Sequence, residues 1–273
     1  MIRRFVAVLM LAGAIVAPLH AELKFTAKVE MRPSATPSLA PADPMMEMIG
    51  NMMAEMLVPA GGIEMTVVVG DKGSRVEYSK AYLMFPAGAV ALVKPDGSMV
   101  ILNPADKTFW KTSAADAALP PGMTPKVTTK RTGEFTDIAG ARSERVAVQI
   151  SIALPLPDGV QAPPGMPTEL TMSGDLWTTD RYKASTKAAG LAMGGLGSLG
   201  LDKILEGGLA MRSVIRSPLF PGREIETLIT KIGEEAAPAS LFDVPADYKE
   251  VPAPSGIGRI GGPGRSLVGG PRG

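Results

Sequence analysis

The chain has 273 residues, 45% of them hydrophobic, with 28 Lys plus Arg, 27 Asp plus Glu, one His and no Cys. A balance this close to neutral lacks the cationic excess that phosphate-backbone binding uses, so nucleic acid is not an expected partner. The absence of Cys excludes disulfides, thiolate metal sites and a cysteine nucleophile.

The first 21 residues, MIRRFVAVLMLAGAIVAPLHA, combine Arg3 and Arg4, an apolar run from Phe5 to Val16, the Pro18 break and the small residue Ala21. This is the layout of a secretory signal peptide, with cleavage expected before Glu22. The apolar run is shorter than the roughly 20 residues of a spanning helix, and no later stretch reaches that length, so no stable membrane span is expected. Cleavage at that point removes Arg3, Arg4 and the only histidine, His20. The mature chain then has neither His nor Cys, which rules out Ser-His-Asp and Cys-His triads and the common zinc, iron and haem sites.

LKFTAKVEM, residues 23 to 31, alternates Leu23, Phe25, Ala27 and Val29 against polar residues, as a half-buried strand does. A Pro-punctuated linker, residues 32 to 44, then leads into MMEMIGNMMAEM, residues 45 to 56, in which six of twelve residues are Met. With Asp43 as N-cap and Pro44 as the first helical residue, the spacing predicts an amphipathic helix over 43–58. Met45, Met46, Met48, Ile49, Met52, Met53, Met56 and Leu57 fill one half of its wheel, and Glu47, Asn51, Ala54 and Glu55 the other. Three uses of that face are open: core filling, an adaptable cover for a ligand, since Met is flexible and polarizable, or thioether ligation of Cu(I).

From Gly62 the chain reads as successive antiparallel strands joined by short turns, with VALV and MVIL apolar on both faces, so that both sides must be covered or one of them must line an interior. Strands are also expected in 126–132, 134–140, 141–154 and 168–183. A short helix is expected near 199–206 and a strand at 209–216. REIETLITKIGEE, residues 223 to 235, fits helical spacing too, but its β-branched content favours a strand. ASLFDVPADYKEV predicts a short helical turn and a last strand. The tail, 252–273, is rich in Gly and Pro with three Arg and no acid, a composition expected to be disordered. The pattern as a whole is mainly β (α+β): one curved antiparallel sheet of about ten strands with two helices on one face.

No nucleophile elbow, HExxH, EF-hand loop or Walker A occurs. Gly195, Gly197 and Gly200 satisfy G-x-G-x-x-G, but without the parallel βαβ context that gives that spacing meaning. Glu134, Asp137, Glu144, Asp175 and Asp180 offer carboxylates, and nothing in the sequence pairs them for acid–base work.

The runs KPDGSMVILNPADKTFWK (94 to 111), GEFTDIAGARSERV (133 to 146), GDLWTTD (174 to 180), LAMRSVIR (209 to 216) and LFDVPADYKEV (241 to 251) together resemble an exported bacterial family, a domain of unknown function related to the periplasmic lipoprotein carriers of the LolA-like superfamily. The resemblance spans about 63 to 251. It departs at Ser143, where Cys is common, and at Leu209, Ala210 and Met211, where a G-x-P element is expected. It implies an open half-barrel, residues 22 to 251, with helices on the concave side and an apolar cavity suited to acyl chains or a lipidated protein. The expectation is therefore an exported, non-enzymatic binder of a hydrophobic ligand, needing no cofactor, with an envelope protein as a further partner. Its expected ligand contacts are Met45, Met48, Ile49, Met52 and Met56 from the lid, with Trp110 and Trp177 at the cavity. Cu(I) binding through the methionines, or a structural envelope role, are the alternatives.

Overall fold

A computed structural model describes residues 20–35, 48, 58–82, 85–113, 124–153, 168–182 and 208–254. Its described strands are β1 (His20–Pro33), β2 (Ile63–Gly70), β3 (Gly73–Tyr78), β4 (Val90–Val93), β5 (Ser98–Asn103), β6 (Thr108–Ser113), β7 (Pro125–Ile138), β8 (Ala141–Ala153), β9 (Glu169–Thr179), β10 (Leu209–Arg216), β11 (Arg223–Ala237) and β12 (Lys249–Glu250). They form one open sheet in the order β12-β6-β5-β4-β3-β2-β1-β11-β10-β9-β8-β7. Two meanders thus flank a central β1–β11 pair, and the last described strand returns to the far edge.

About ten antiparallel strands were expected, and the described residues form twelve. The expected last strand is β12, which pairs with β6 in parallel rather than antiparallel. Segments 126–132 and 134–140, expected as separate strands, form the single strand β7, with an irregularity between Arg131 and Phe135 relative to β8. Gly133 sits in that irregularity at φ 73°, a backbone conformation that glycine adopts freely.

The helices expected over 43–58 and 199–206 fall outside the described residues, apart from Met48, which is helical, and Val58. Among the described residues the one helical element of more than a single residue is the 3-10 turn Ala239–Phe242. The expected cleavage site falls within β1, whose first pairs are His20↔Ala237 and Ala21↔Ala236.

Strand alternation assigns two faces. On the inner face, Phe25, Ala27 and Val29 of β1 lie opposite Val67, Met65 and Ile63 of β2, and Val67 and Met65 lie opposite Val76 and Tyr78 of β3. The rows continue through Ala91 and Val93, Met99 and Ile101, to Trp110. All of these side chains are buried in one cluster. A second cluster joins Val146, Val148, Ile150 and Ile152 of β8 to Leu176 and Ile215. At about 1.5–3 kcal/mol for each large aliphatic side chain removed from water, these rows are the main source of stability.

The outer face differs between the two halves. On β4 and β5 it is apolar, as VALV and MVIL require, and Val90, Leu92, Val100 and Leu102 pack with Phe109, Val244 and Tyr248. A strap made of the 3-10 turn and the residues up to Val251 covers them. Lys94 Nζ donates to the Phe242 carbonyl oxygen at 2.6 Å and Arg75 Nη1 to that of Leu241 at 3.3 Å. Lys107–Asp247 (2.9 Å) and Lys111–Glu250 (2.8 Å) complete the attachment. In each ion pair the sheet supplies the cation and the strap the anion.

On the other half the outer face is charged. Arg32 of β1 bridges Glu224 and Glu226 of β11, and Arg212 and Arg216 of β10 hold the same two carboxylates. Arg216 also reaches Asp175 of β9, which binds Arg145 of β8, which binds Glu134 of β7. The sign of the charge alternates from strand to strand across six strands.

Candidate ligand-binding face

Two regions of the described structure carry side chains with chemical capacity: the charged outer ladder and the inner apolar face. The ladder's carboxylates are committed. Asp175 and Glu224, both buried, each receive two guanidinium groups, and Arg145 is held more firmly protonated by its hydrogen bonds to Asp175 and Glu134. Glu144 is paired with Arg131. Carboxylates neutralised in this way are poor general bases and poor metal ligands. Among the described residues no group of three or more His, Cys, Asp or Glu is placed to hold a metal ion.

The inner face carries an aromatic group that sequence reasoning did not single out. The rings of Tyr78 and Phe85 stack with centroids 4.4 Å apart and planes 9° apart, and Tyr82 stacks on Tyr78 at 6.0 Å and 20°. Reciprocal backbone hydrogen bonds join Tyr82 and Phe85 (2.9 and 2.8 Å), which turns the chain back and sets the second and third rings against the first. Burial pushes both phenols up from their ordinary range, and the nearby Tyr82 phenol adds to the effect on Tyr78. Both therefore remain protonated donors throughout the physiological range. Three aromatics within the eight residues from Tyr78 to Phe85, in a chain only 5% aromatic, were the available signal.

The segment that follows the Met-rich stretch docks beside this stack. Val58 is buried in the same cluster as Tyr78, Tyr82 and Phe85. Lys80 Nζ donates to the Ala60 carbonyl oxygen at 3.3 Å, and Ser79 Oγ accepts from the Glu64 backbone N–H at 3.0 Å. Gly62, at φ 72°, passes so close to the Val29 carbonyl oxygen that a Cβ there would lie 2.6 Å from it. The chain connecting the Met-rich stretch to β2 is thus fixed against the sheet.

Of the expected site residues, Met45, Ile49, Met52 and Met56 lie outside the described residues. Met48 is 66% exposed, although it is central to the apolar half of the wheel. Trp110 is a core residue of the inner face, 5% exposed. Trp177 is partly buried at the margin of the same cluster, with the Arg212 guanidinium 4.4 Å from its ring centroid. Of the two points of departure from the family pattern, Ser143 is buried and donates to the Ala141 carbonyl oxygen at 3.0 Å. Met211 is the extra residue of an irregularity in β10 and is fully buried. No described helix is long and apolar enough to cross a membrane.

A comparison with curated proteins gives no match. Among solved structures, the chain is similar to an uncharacterized conserved protein from Thermus thermophilus, at 7% identity and a TM-score of 0.39, covering 85% of this chain and 90% of that one. It is also similar to a LolA superfamily protein from Nitrosomonas europaea, at 8% identity and a TM-score of 0.30, covering 81% and 89% respectively. The family profile described as "Domain of unknown function (DUF4412)" matches residues 48–248, and the chain belongs to that family.

Proposed function

We propose that the protein is exported, is not an enzyme, and binds a hydrophobic ligand, either a lipid acyl chain or an acylated protein, between the inner face of its open sheet and the Met-rich stretch 45–56. The observation that carries this reading is an uncharged apolar wall running from β1 to β6, with Val58, two positions beyond the Met-rich stretch, buried against it. Flexible Met side chains suit a cover that must fit chains of varied shape. Burial of an acyl chain at about 0.8 kcal/mol per CH₂ provides affinity without a catalytic group, less the cost of ordering.

Native mass spectrometry of the mature protein, isolated from its periplasmic or secreted fraction, tests the reading. A co-purifying lipid mass supports it. A protein isolated free of lipid that takes up none from vesicles, or one that carries stoichiometric copper, contradicts it.

A further inference from the structure

The open sheet has two lateral edges, and the fold treats them differently. At one of them β12 lies along β6: the Lys249 and Val251 amides donate to the Lys107 and Phe109 carbonyl oxygens at 2.9 and 2.8 Å, and Glu250 of the added strand pairs with Lys111 of the sheet. An acidic segment of the chain itself thus completes a cationic edge. At the other, β7 has β8 on one side and, among the described residues, no strand on its far side. Such an edge leaves a row of backbone N–H and C=O groups open to pairing.

The regular part of that edge is short and bounded. Residues 126–131 pair with β8 without a break, whereas Pro125 has no amide N–H and the irregularity after Arg131 interrupts the ladder. Register assigns the two faces. Lys126, Thr128 and Lys130 stand opposite Ser151, Gln149 and Ala147; all three are exposed, and neither lysine has an ion-pair partner among the described residues. Val127 stands opposite Ile150 and packs against the apolar row of β8. A strand laid along β7 therefore meets two free cations on one face and an apolar margin on the other. A second copy fits badly, because antiparallel pairing of this segment with itself sets Lys126 against Lys130 or Arg131, and like charges directly opposite are destabilising. Edge lysines repel a like strand, but they attract one of opposite sign.

We propose that the 126–131 edge of β7 is a docking site for an extended segment of a partner protein that alternates acidic with apolar residues. The segment joins the sheet as an added strand, with its acidic side chains at Lys126 and Lys130 and its apolar ones beside Val127. Main-chain hydrogen bonds supply attachment, and the alternating side chains supply selection. The strap on β6 shows the same chemistry within the chain, where Asp247 and Glu250 meet Lys107 and Lys111 along a strand edge. This inference stands apart from the hydrophobic-ligand reading, since the edge and the inner face are different surfaces.

The test titrates the full mature protein, at neutral pH and low ionic strength, with end-blocked hexapeptides: (Glu-Val)3, (Lys-Val)3, and two forms of the first that are N-methylated at the valine or at the glutamate nitrogens. Wild type is expected to bind (Glu-Val)3 about 5-fold or more tightly than (Lys-Val)3, the difference between attracting and repelling pairs at two positions. Only alternate residues of an added strand turn their N–H groups to the edge. One N-methylated form is therefore expected to bind as the parent does, and the other about 5-fold or more weakly. Lys126→Glu with Lys130→Glu changes two exposed side chains and is expected to reverse the charge preference. If both N-methylated forms bind as the parent does, the attraction involves no strand addition, and the proposal is overturned. A charge preference unchanged in the double variant overturns it by placing the peptide elsewhere. Failure of (Glu-Val)3 to bind wild type overturns it by showing that the lysines only blunt the edge, and a wild-type dimer broken by the double variant overturns it by assigning the edge to a second copy.

Discussion

Arg145 of β8 and Asp175 of β9 face each other across the sheet with Nε and Oδ1 2.8 Å apart, and Arg216 of β10 closes on the other carboxylate oxygen at 3.1 Å. Asp175 is the one anion between two guanidinium groups, and its side chain is only 6% exposed. Asp175→Ala removes the anion the two share and leaves Arg145 with Glu134 and Arg216 with Glu224 alone, two like charges now adjacent on a partly buried surface. The Arg side chains retain solvent contact, 35% and 28% exposed, so the expected loss is about 2–3 kcal/mol in urea unfolding, below that of a fully buried pair. A loss under about 0.5 kcal/mol would show that the ladder is a solvated surface feature.

The strap's 3-10 turn lies against β3 and ends at Phe242, which is 2% exposed, two positions before Val244, which packs on the apolar patch of Val90, Leu92, Val100 and Leu102. Phe242→Ala is expected to destabilise the protein by about 3–4 kcal/mol and to raise binding of an apolar dye as the patch opens. Thermal unfolding with dye fluorescence reads both effects, and an unchanged melting temperature would show that the strap is not part of the folded core.

The strap also carries a pH dependence of definite sign. The hydrogen bond from Lys107 lowers the carboxyl of Asp247 and raises the ammonium of Lys107. The contribution of Asp247 is complete above its ordinary value of 3.8 and fades as pH falls through the lowered one. That of Lys107 is complete below its ordinary value of 10.5 and fades as pH rises through the raised one. The Lys249 and Val251 amides, bonded to the Lys107 and Phe109 carbonyl oxygens, report on strap attachment. Their exchange protection relative to core strands is expected to fall in acid, and to fall at high salt at neutral pH because the pair is exposed to solvent. Protection that does not change with salt or acid would assign attachment to the apolar contacts alone.

Ser74 Oγ is buried with no hydrogen-bond partner among the described residues. Ser74→Ala is expected to leave stability unchanged or to raise it by up to about 1 kcal/mol in denaturant unfolding, the reverse of most core substitutions. A loss above about 1 kcal/mol would show that the hydroxyl is already satisfied.

The two-residue period made most of the sheet legible. Strand β10 spans the residues expected, and β11 is a strand despite its helix-like spacing. The reason is local: Lys231 pairs with Thr26 and Ile229 with Ala27, so Thr230 is an extra residue that shifts the alternation. Ile225 and Ile229 before it, and Ile232 after it, therefore reach the same face at an interval that mimics a helix. The apolar faces of VALV and MVIL required cover on both sides or an interior on one, and the structure packs both. What supplies the cover could not be read, because the strap lies far along the chain, with Lys94 and Phe242 separated by 148 positions, and its docking depends on tertiary contacts. The inner tyrosines were missed for a similar reason. Tyr78 ends a strand and Tyr82 follows a bend, so no period links them, and only the backward turn at Phe85 stacks them. The Met-rich stretch had the clearest composition of any segment, yet its face gave no indication of what it covers.

The central claim is that the Met-rich stretch and the inner face together hold a lipid. Replacing Met48 and Met52 by Glu puts two charges on the cover and leaves the strand core untouched. Native mass spectrometry of wild type and Met48→Glu/Met52→Glu, each isolated from the same lipid-bearing cells, is the most direct measurement. The account predicts a lipid adduct on wild type and its loss from the variant, with the far-ultraviolet β signature of both unchanged. Equal lipid retention by the two proteins would contradict it.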